Sequence, residues 1–385
     1  MRTARSLNSV VLGLVVSGVC ILASVGTTTA GAGEAWQVEW EKVVAGAKRE
    51  GQLGIVAEEI YQPVFEDFRK KYPEIRISQM GGPNVRERIQ KLMAERRAGL
   101  YLRDVFLGTP WSVLAEGVYQ VFDPIIPALI LPEVVDKPKW WKGKHHYDDP
   151  KDQYTFMYEG ATSSGGILYN KNIVTPQETK SYWDLLNPKW KGKIVAKDHN
   201  PRPVGITESG LRMFYFHPQL GREFLRRLYT EMDIIVSRDQ TQILAWLGAG
   251  KVALALFNAT TDIQNAIKQG LPIGKFTHAN FKEGGLVISQ IGKISFLNRA
   301  ANPNAGKLFV NWLLSREGQS SFQNAFAPKT GGEQGNSLRE DIPKEVIPPI
   351  ARLDSCPTCM AFTHEMLDTK PIVDVINDFV EKTKK

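Results

Sequence analysis

Twice along these 385 residues, a regular alternation of short apolar strands and amphipathic helices gives way to a long extended run. Those two interruptions constrain the fold more than any other feature. Before the first, "QLGIVA", "EIRISQM" and "RDVFLGTPW" read as strands. Between and ahead of them, "WQVEWEKVVAGAKREG", "QPVFEDFRKKYP" and "VRERIQKLMAERRAG" read as helices. Trp36, Trp40, Val43, Val44 and Ala47 share one helical face that stops at Gly51. Pro63 stands in the first turn of the second helix and Pro73 beyond its end. Val85, Ile89, Leu92 and Met93 form the stripe of the third. Strands and helices in succession build a largely parallel sheet with both faces covered.

The interruptions are "YTFMYEGATSSGGILYN" and "GGLVISQIGKISFL". Between them the alternation resumes with "KGKIVAKD", a helical stretch to Met232, "DIIVS", "QTQILAWLGAG", "KVALALF" and "TTDIQNAIKQG". After the second comes one long helical pattern, "NAGKLFVNWLLSREGQSSFQNAF", and an irregular proline-bearing tail. The expected fold class is α/β, with two α/β lobes joined by two extended crossover segments, 154–170 and 284–297, that serve as hinges. Residues 33–157 open lobe 1, 158–286 form lobe 2, and 287–385 return to lobe 1 with C-terminal helices shared between lobes. The chain is long enough to bury two such cores. Ahead of "KGKIVAKD", "SYWDLLNPKWKGKI" reads as a packed joint: a short helix around Trp183, Leu185 and Leu186 ends at Pro188. Trp190 packs beneath it, Gly192 releases the strand, and the lysines form a solvated rim.

Composition is that of an ordinary globular protein, 43% hydrophobic and 23% charged. The net charge of +7 includes Arg2 and Arg5 and is otherwise dispersed, without the basic stripe that nucleic acid demands. Arg2 and Arg5 precede "VVLGLVVSGVCILASV" and a small-residue exit, so residues 1–32 read as a secretory signal peptide cleaved after Ala32. The apolar run falls short of the ~20 residues that span a bilayer. Export removes Cys20 and leaves Cys356 and Cys359 in "CPTC", a pattern open to a local disulfide, a redox pair or a metal site.

Catalytic motifs are missing. "ATSSGG" and "TESGL" lack the first glycine of a nucleophile elbow, and "HEMLD" has Asp368 where a zinc protease needs histidine. His145, His146, Asp148 and Asp149 could together hold a metal, but "KGKHHYDDP" reads better as a solvated loop. The expectation is binding without turnover: no catalytic residue, no metal site and no cofactor.

Several segments together resemble a solute-binding protein of an ABC importer with the type 2 periplasmic-binding fold, in the group of ferric-ion, thiamine, polyamine and phosphonate binders. They are "WEKVVAGAKREGQLGI", "YNKNIV", "YWDLLNPKWKGKI", "GAGKVALALFN" and "NPNAGKLFVNWLLSREGQ", in the family's order. The resemblance implies a periplasmic protein that grips a small ligand between its lobes by hinge closure. It also implies an inner-membrane ABC permease as partner, a monomeric state and no nucleic acid. Ferric binders of this group place two adjacent tyrosines after the strand matching "VALALFN"; here Asn258, Ala259, Thr260 and Thr261 stand there. Neutral oxygens suit Fe(III) poorly. Iron capture would then need another ligand set, to which Glu58, Glu59 and Tyr61 could contribute.

Ligands of open α/β sheets bind outside the carboxyl ends of the strands. Candidate ligand contacts are therefore Glu59 and Tyr61; Gly82 and Asn84; Thr109 and Trp111; Ser163 and Ser164; Arg202; Arg238, Asp239 and Thr241; and Asn258, Thr260 and Thr261. Several would open helices, whose N-termini favour anions by at most ~2 kcal/mol each. Micromolar binding needs about 8 kcal/mol. An anionic or zwitterionic ligand would therefore also need an arginine fork, for which Arg202 and Arg238 are the candidates, and Trp111 could stack on it. An exported enzyme or a ligand sensor on the same scaffold is the alternative reading.

Overall fold

The structure, a computed structural model, describes residues 31–82, 84–108, 118–198, 208–257, 260–332, 334–368 and 370–383. Residues 1–30 of the leader, Thr109, Trp111, Arg202 and Asn258 lie outside the described residues.

The first segment runs α1 (Gly31–Glu50), β1 (Gln52–Val56), α2 (Gln62–Lys71), β2 (Arg76–Met80), α3 (Val85–Arg97) and β3 (Val105–Leu107). It continues through β4 (Phe122–Asp123), α4 (Pro132–Val135), β5 (His146–Tyr147) and β6 (Thr155–Met157). Gly51, at φ +64°, ends α1 in the left-handed turn that glycine adopts without strain. Glu50 then accepts from the backbone N–H groups of Asn304 and Ala305, at 3.2 and 2.7 Å, and so caps a helix far along the chain.

The second segment runs β7 (Ala161–Ser163), β8 (Leu168–Asn170), β9 (Ile194–Lys197), α5 (Glu208–Phe216), α6 (Gly221–Glu231) and β10 (Ile235–Ser237). After these come α7 (Gln240–Gly248), β11 (Leu254–Leu256), α8 (Thr260–Lys268) and β12 (Ile273–Lys275). The last contains β13 (Leu286–Ile288), β14 (Lys293–Leu297), α9 (Pro303–Leu314), α10 (Arg316–Thr330), β15 (Met360–Ala361) and α11 (Lys370–Thr383).

Two sheets repeat one plan. In the first, of order β2-β1-β3-β14-β6-β5, β1 is parallel to β2 and β3, and β14 inserts antiparallel. In the second, β10-β9-β11-β8-β12, β9 is parallel to β10 and β11, and β8 inserts antiparallel. In each sheet the inverted strand follows directly on a crossover. The crossovers themselves pair: β7 lies antiparallel to β13, with Val287 opposite Thr162, and β15 adds in parallel on the other edge of β13.

The first extended run of the sequence is thus three strands, β6, β7 and β8, in three different sheets, and the second is two, β13 and β14, in two. Around Gly292 and Gly160 the chain must turn between them, and a Cβ on Gly292 would sit 2.1 Å from that of Glu159. Separate apolar cores form on the two sheets. One gathers Phe65, Phe68, Phe156, Phe309, Trp312 and Phe322; the other gathers Tyr182, Phe214, Phe224, Leu254 and Phe276. The tail passes from the first core at Leu353, Cys356 and Cys359 into the second at Met366, Ile372 and Phe379. Cys356 and Cys359 are joined as a disulfide at that changeover.

Three local expectations are revised. The single helix ending at Met232 is two, α5 and α6, parted by Pro218 and by Gly221 at φ +61°. The long helix after Asn302 breaks at Ser315, whose hydroxyl accepts from Gly318 N–H and caps α10. In the tryptophan-lysine joint, the helix is two 3-10 turns, 182–186 and 188–190, because Ser181 and Asn187 cap each turn before an α-helix can propagate. Trp190 is buried as expected, and Gly192 takes φ +70°.

Candidate functional site

The carboxyl ends of β1, β2 and β3 come together through one buried side chain that the sequence reading passed over. Arg88, on α3, has no exposed surface. Its Nη1 donates to Gly82 O at 2.9 Å, and its Nη2 pairs with Glu58 Oε1 at 2.7 Å. A Cβ on Gly108, the residue after β3, would lie 3.7 Å from Nη2. The loop after β1 is fixed independently: Gln79 Nε2 donates to Ala57 O and Glu58 O at 3.1 and 3.0 Å, and Gln62 donates to Gln79. Glu59 is exposed and lies against Gly81. Asn84 caps α3 by accepting from Glu87 N–H at 2.9 Å.

Tyr61 does not face this rim, which corrects the expectation for it. Its ring is buried among Phe65, Phe322 and Phe326. Its hydroxyl donates to Ile291 O and lies 3.2 Å from the Tyr158 hydroxyl. Burial, before any charge effect, pushes its ionisation well above the usual range, so it offers no phenolate. The sequence placed Tyr61 by its position after a strand; the apolar face of α2 draws it inward.

On the second sheet, Arg238 is exposed and pairs through Nε with Asp198 Oδ2 at 2.6 Å, bridging the ends of β9 and β10. Asp239 caps α7 through Gln242 N–H, and Thr241 is exposed on its first turn. Phe257 follows β11 at φ +63°, a conformation that costs a bulky residue energy and concentrates at functional turns. Thr260 and Thr261 open α8, with Asn258 and Ala259 between it and Phe257. Ser163 pairs with Leu286 in the hinge sheet, and its Oγ accepts from Gly165 N–H. Ser164 is buried and spends its hydroxyl on Phe276 O at 2.7 Å, so it serves the second core rather than a ligand.

The crossovers hold two further buried charges. Glu159 accepts from Ser289 Oγ and from the N–H groups of Gln290, Ile291, Gly292 and Gly335, at 2.8 to 3.1 Å. Lys293 pairs with Asp148. Burial pushes the Asp148 carboxyl up to about 7 and the Lys293 ammonium down, and their contact draws each back toward its charged form. The segment "HHYDD" is therefore no solvated loop. His146 donates to Trp141 O at 2.9 Å, and Asp149 accepts four backbone N–H groups of the turn that follows. Among the described residues, no group of three or more His, Cys, Asp or Glu could hold a metal ion.

Arg88 was legible in principle. It lies three residues after Val85 and four before Leu92, on the apolar stripe itself, and a charge there must find a buried partner.

Residues 116–348 match the family described as bacterial extracellular solute-binding protein. An uncharacterized protein of Haemophilus influenzae is 27% identical over 168 residues, 42% of each chain. Iron uptake protein A1 of Synechocystis is 29% identical over 112 residues, 29% of this chain and 26% of its own. The chain thus matches less than half the length of these curated relatives. Iron- and citrate-bound Trichodesmium IdiA (FutA) superposes at a TM-score of 0.55, with 19% identity, over 86% of this chain and 99% of that one. Iron-bound HitA of Pseudomonas aeruginosa gives 0.51, with 15% identity, over 85% and 99%. At these identities the likeness is one of fold.

Proposed function

The chain belongs to the bacterial extracellular solute-binding protein family, and on that premise we propose that it is the solute-capturing component of an ABC-type importer. Residues 33–157 and 158–286, with the returning 287–385, act as two lobes that close on a small anionic or zwitterionic ligand. The observation that carries this reading is the repeated sheet plan with paired crossovers. That plan supports the reading because ligands of open α/β sheets bind outside the carboxyl ends of the strands, here those of β1–β3 and of β9–β11. Ligand favours the closed form only through contacts that the open form lacks. On the first rim these come from Glu59, Gly82 and Asn84 with Thr109 and Trp111. On the second they come from Arg202, Arg238, Asp239, Thr241, Asn258, Thr260 and Thr261, with Ser163 at the hinge.

The leader 1–32 would direct export to the periplasm with cleavage after Ala32; among the described residues, no helix is long and apolar enough to cross a membrane. The ligand leaves unchanged, delivered to the permease by a monomer. Ferric ion is a second reading, favoured by the iron-bound structural relatives and by the neighbouring carboxylates Glu58 and Glu59. The threonines after β11 and the buried Tyr61 weigh against phenolate ligation.

Thermal-shift and small-angle scattering measurements on the mature protein test this. They would use citrate, inorganic phosphate, methylphosphonate, spermidine, thiamine and ferric citrate. One class should raise the melting temperature and shrink the radius of gyration together. Chemical conversion of a bound compound, or binding without compaction, would refute the proposal.

A further inference from the structure

Arg88 is a permanently charged group with no contact with water, so it must keep an anion beside it. The anion it has is Glu58, whose side chain is 40% exposed on the rim where a ligand would arrive. We propose that Glu58 is a built-in competitor: it holds Arg88 Nη2 in the unliganded protein, and a carboxylate, phosphate or phosphonate ligand displaces it. This rests on the solute-binding reading above and names the chemistry of the first rim.

Three observations support the exchange. The guanidinium is not saturated, since its buried Nε has no hydrogen-bond partner. The Glu58 carboxylate is not what holds its loop. Gln79 grips Ala57 O and Glu58 O, and Tyr61 N–H donates to Glu58 O at 3.3 Å, so the side chain can swing out while the backbone stays. Arg88 itself cannot follow it, because Nη1 remains on Gly82 O. Exchange of one anion for another keeps the buried charge neutralised. A neutral or cationic ligand would leave it stranded, so the pair acts as a filter for anions as well as a brake on binding.

Glu58→Gln removes the competitor and keeps the side chain's size. Titration calorimetry with citrate, inorganic phosphate and methylphosphonate should show the anion that binds wild type binding this variant about tenfold tighter. Spermidine should gain nothing. In an Arg88→Lys background, which keeps the charge without the fork, the advantage of Glu58→Gln should vanish. Equal or weaker anion binding by Glu58→Gln would overturn the competitor and leave the solute-binding reading standing. So would a wild type that closes only on a cationic or neutral compound. If nothing in a metabolite library closes either protein, the solute-binding reading falls and takes this inference with it.

Discussion

Replacing Glu159 by alanine should loosen the joint between the lobes more than any rim substitution. The carboxylate receives five donors: one hydroxyl, three consecutive N–H groups of the second crossover, and Gly335 N–H from the tail. The crossover cannot close the gap by collapse, because Gly292 already abuts Glu159. Each buried donor left without a partner costs roughly 1–3 kcal/mol. Water entering the vacated space recovers part of this, so Glu159→Ala should lose at least about 4 kcal/mol. That is a large share of a total that is ordinarily about 5–15 kcal/mol. Glu159→Gln keeps one acceptor oxygen but turns an amide NH₂ toward N–H donors, and should lose about 2 kcal/mol. Urea unfolding reads this directly: at a slope of about 3 kcal/mol per molar, the alanine midpoint falls by more than ~1 M. Hydrogen exchange at 290–292 should accelerate in both variants. An alanine midpoint within about 0.3 M of wild type would refute the claim that this carboxylate ties the crossovers together.

Burial pushes His146 down to about 4 in the folded protein, so the unfolded chain binds the extra proton between there and its ordinary value. Stability is therefore lost as pH falls from ~6.5 to 4, by up to about 3 kcal/mol. Comparing urea midpoints of wild type and His146→Gln at pH 7 and 4.5 isolates this from Asp148, whose raised value acts in the opposite sense. Reducing the Cys356–Cys359 bond frees a four-residue loop worth roughly 2 kcal/mol of chain entropy. The melting temperature should then drop by about 3 °C, with faster exchange along β15. Gly318→Ala places a methyl 2.0 Å from Trp312 O and 2.6 Å from Leu313 Cα, both backbone atoms that cannot move aside. It should cost at least about 2 kcal/mol by chemical denaturation, a loss that an exposed helical glycine would not show.

The lobes were legible because their signal is periodic. Apolar stripes such as Val85, Ile89 and Leu92 need only local regularity, and the crossovers announced themselves by breaking it. What the sequence could not supply were long-range partners. Tyr61 looked like a rim residue because it follows β1, yet its hydroxyl is claimed by Ile291, far along the chain. Ser164 was drawn in by Phe276 in the same way. His146, Asp148 and Asp149 read as a solvated charge run, yet they bury because Lys293 and the turn's own N–H groups await them. The capping residues Asn84 and Asp239 do what their type does locally, so their type alone could not single them out as ligand contacts.

The tail's return gives the molecule a practical asymmetry. Helix α1 packs with the first core and α11 with the second, so these two helices ride on opposite jaws. A donor fluorophore attached to an exposed position of α1 and an acceptor on α11 would report jaw separation by energy transfer, with no insertion into either sheet.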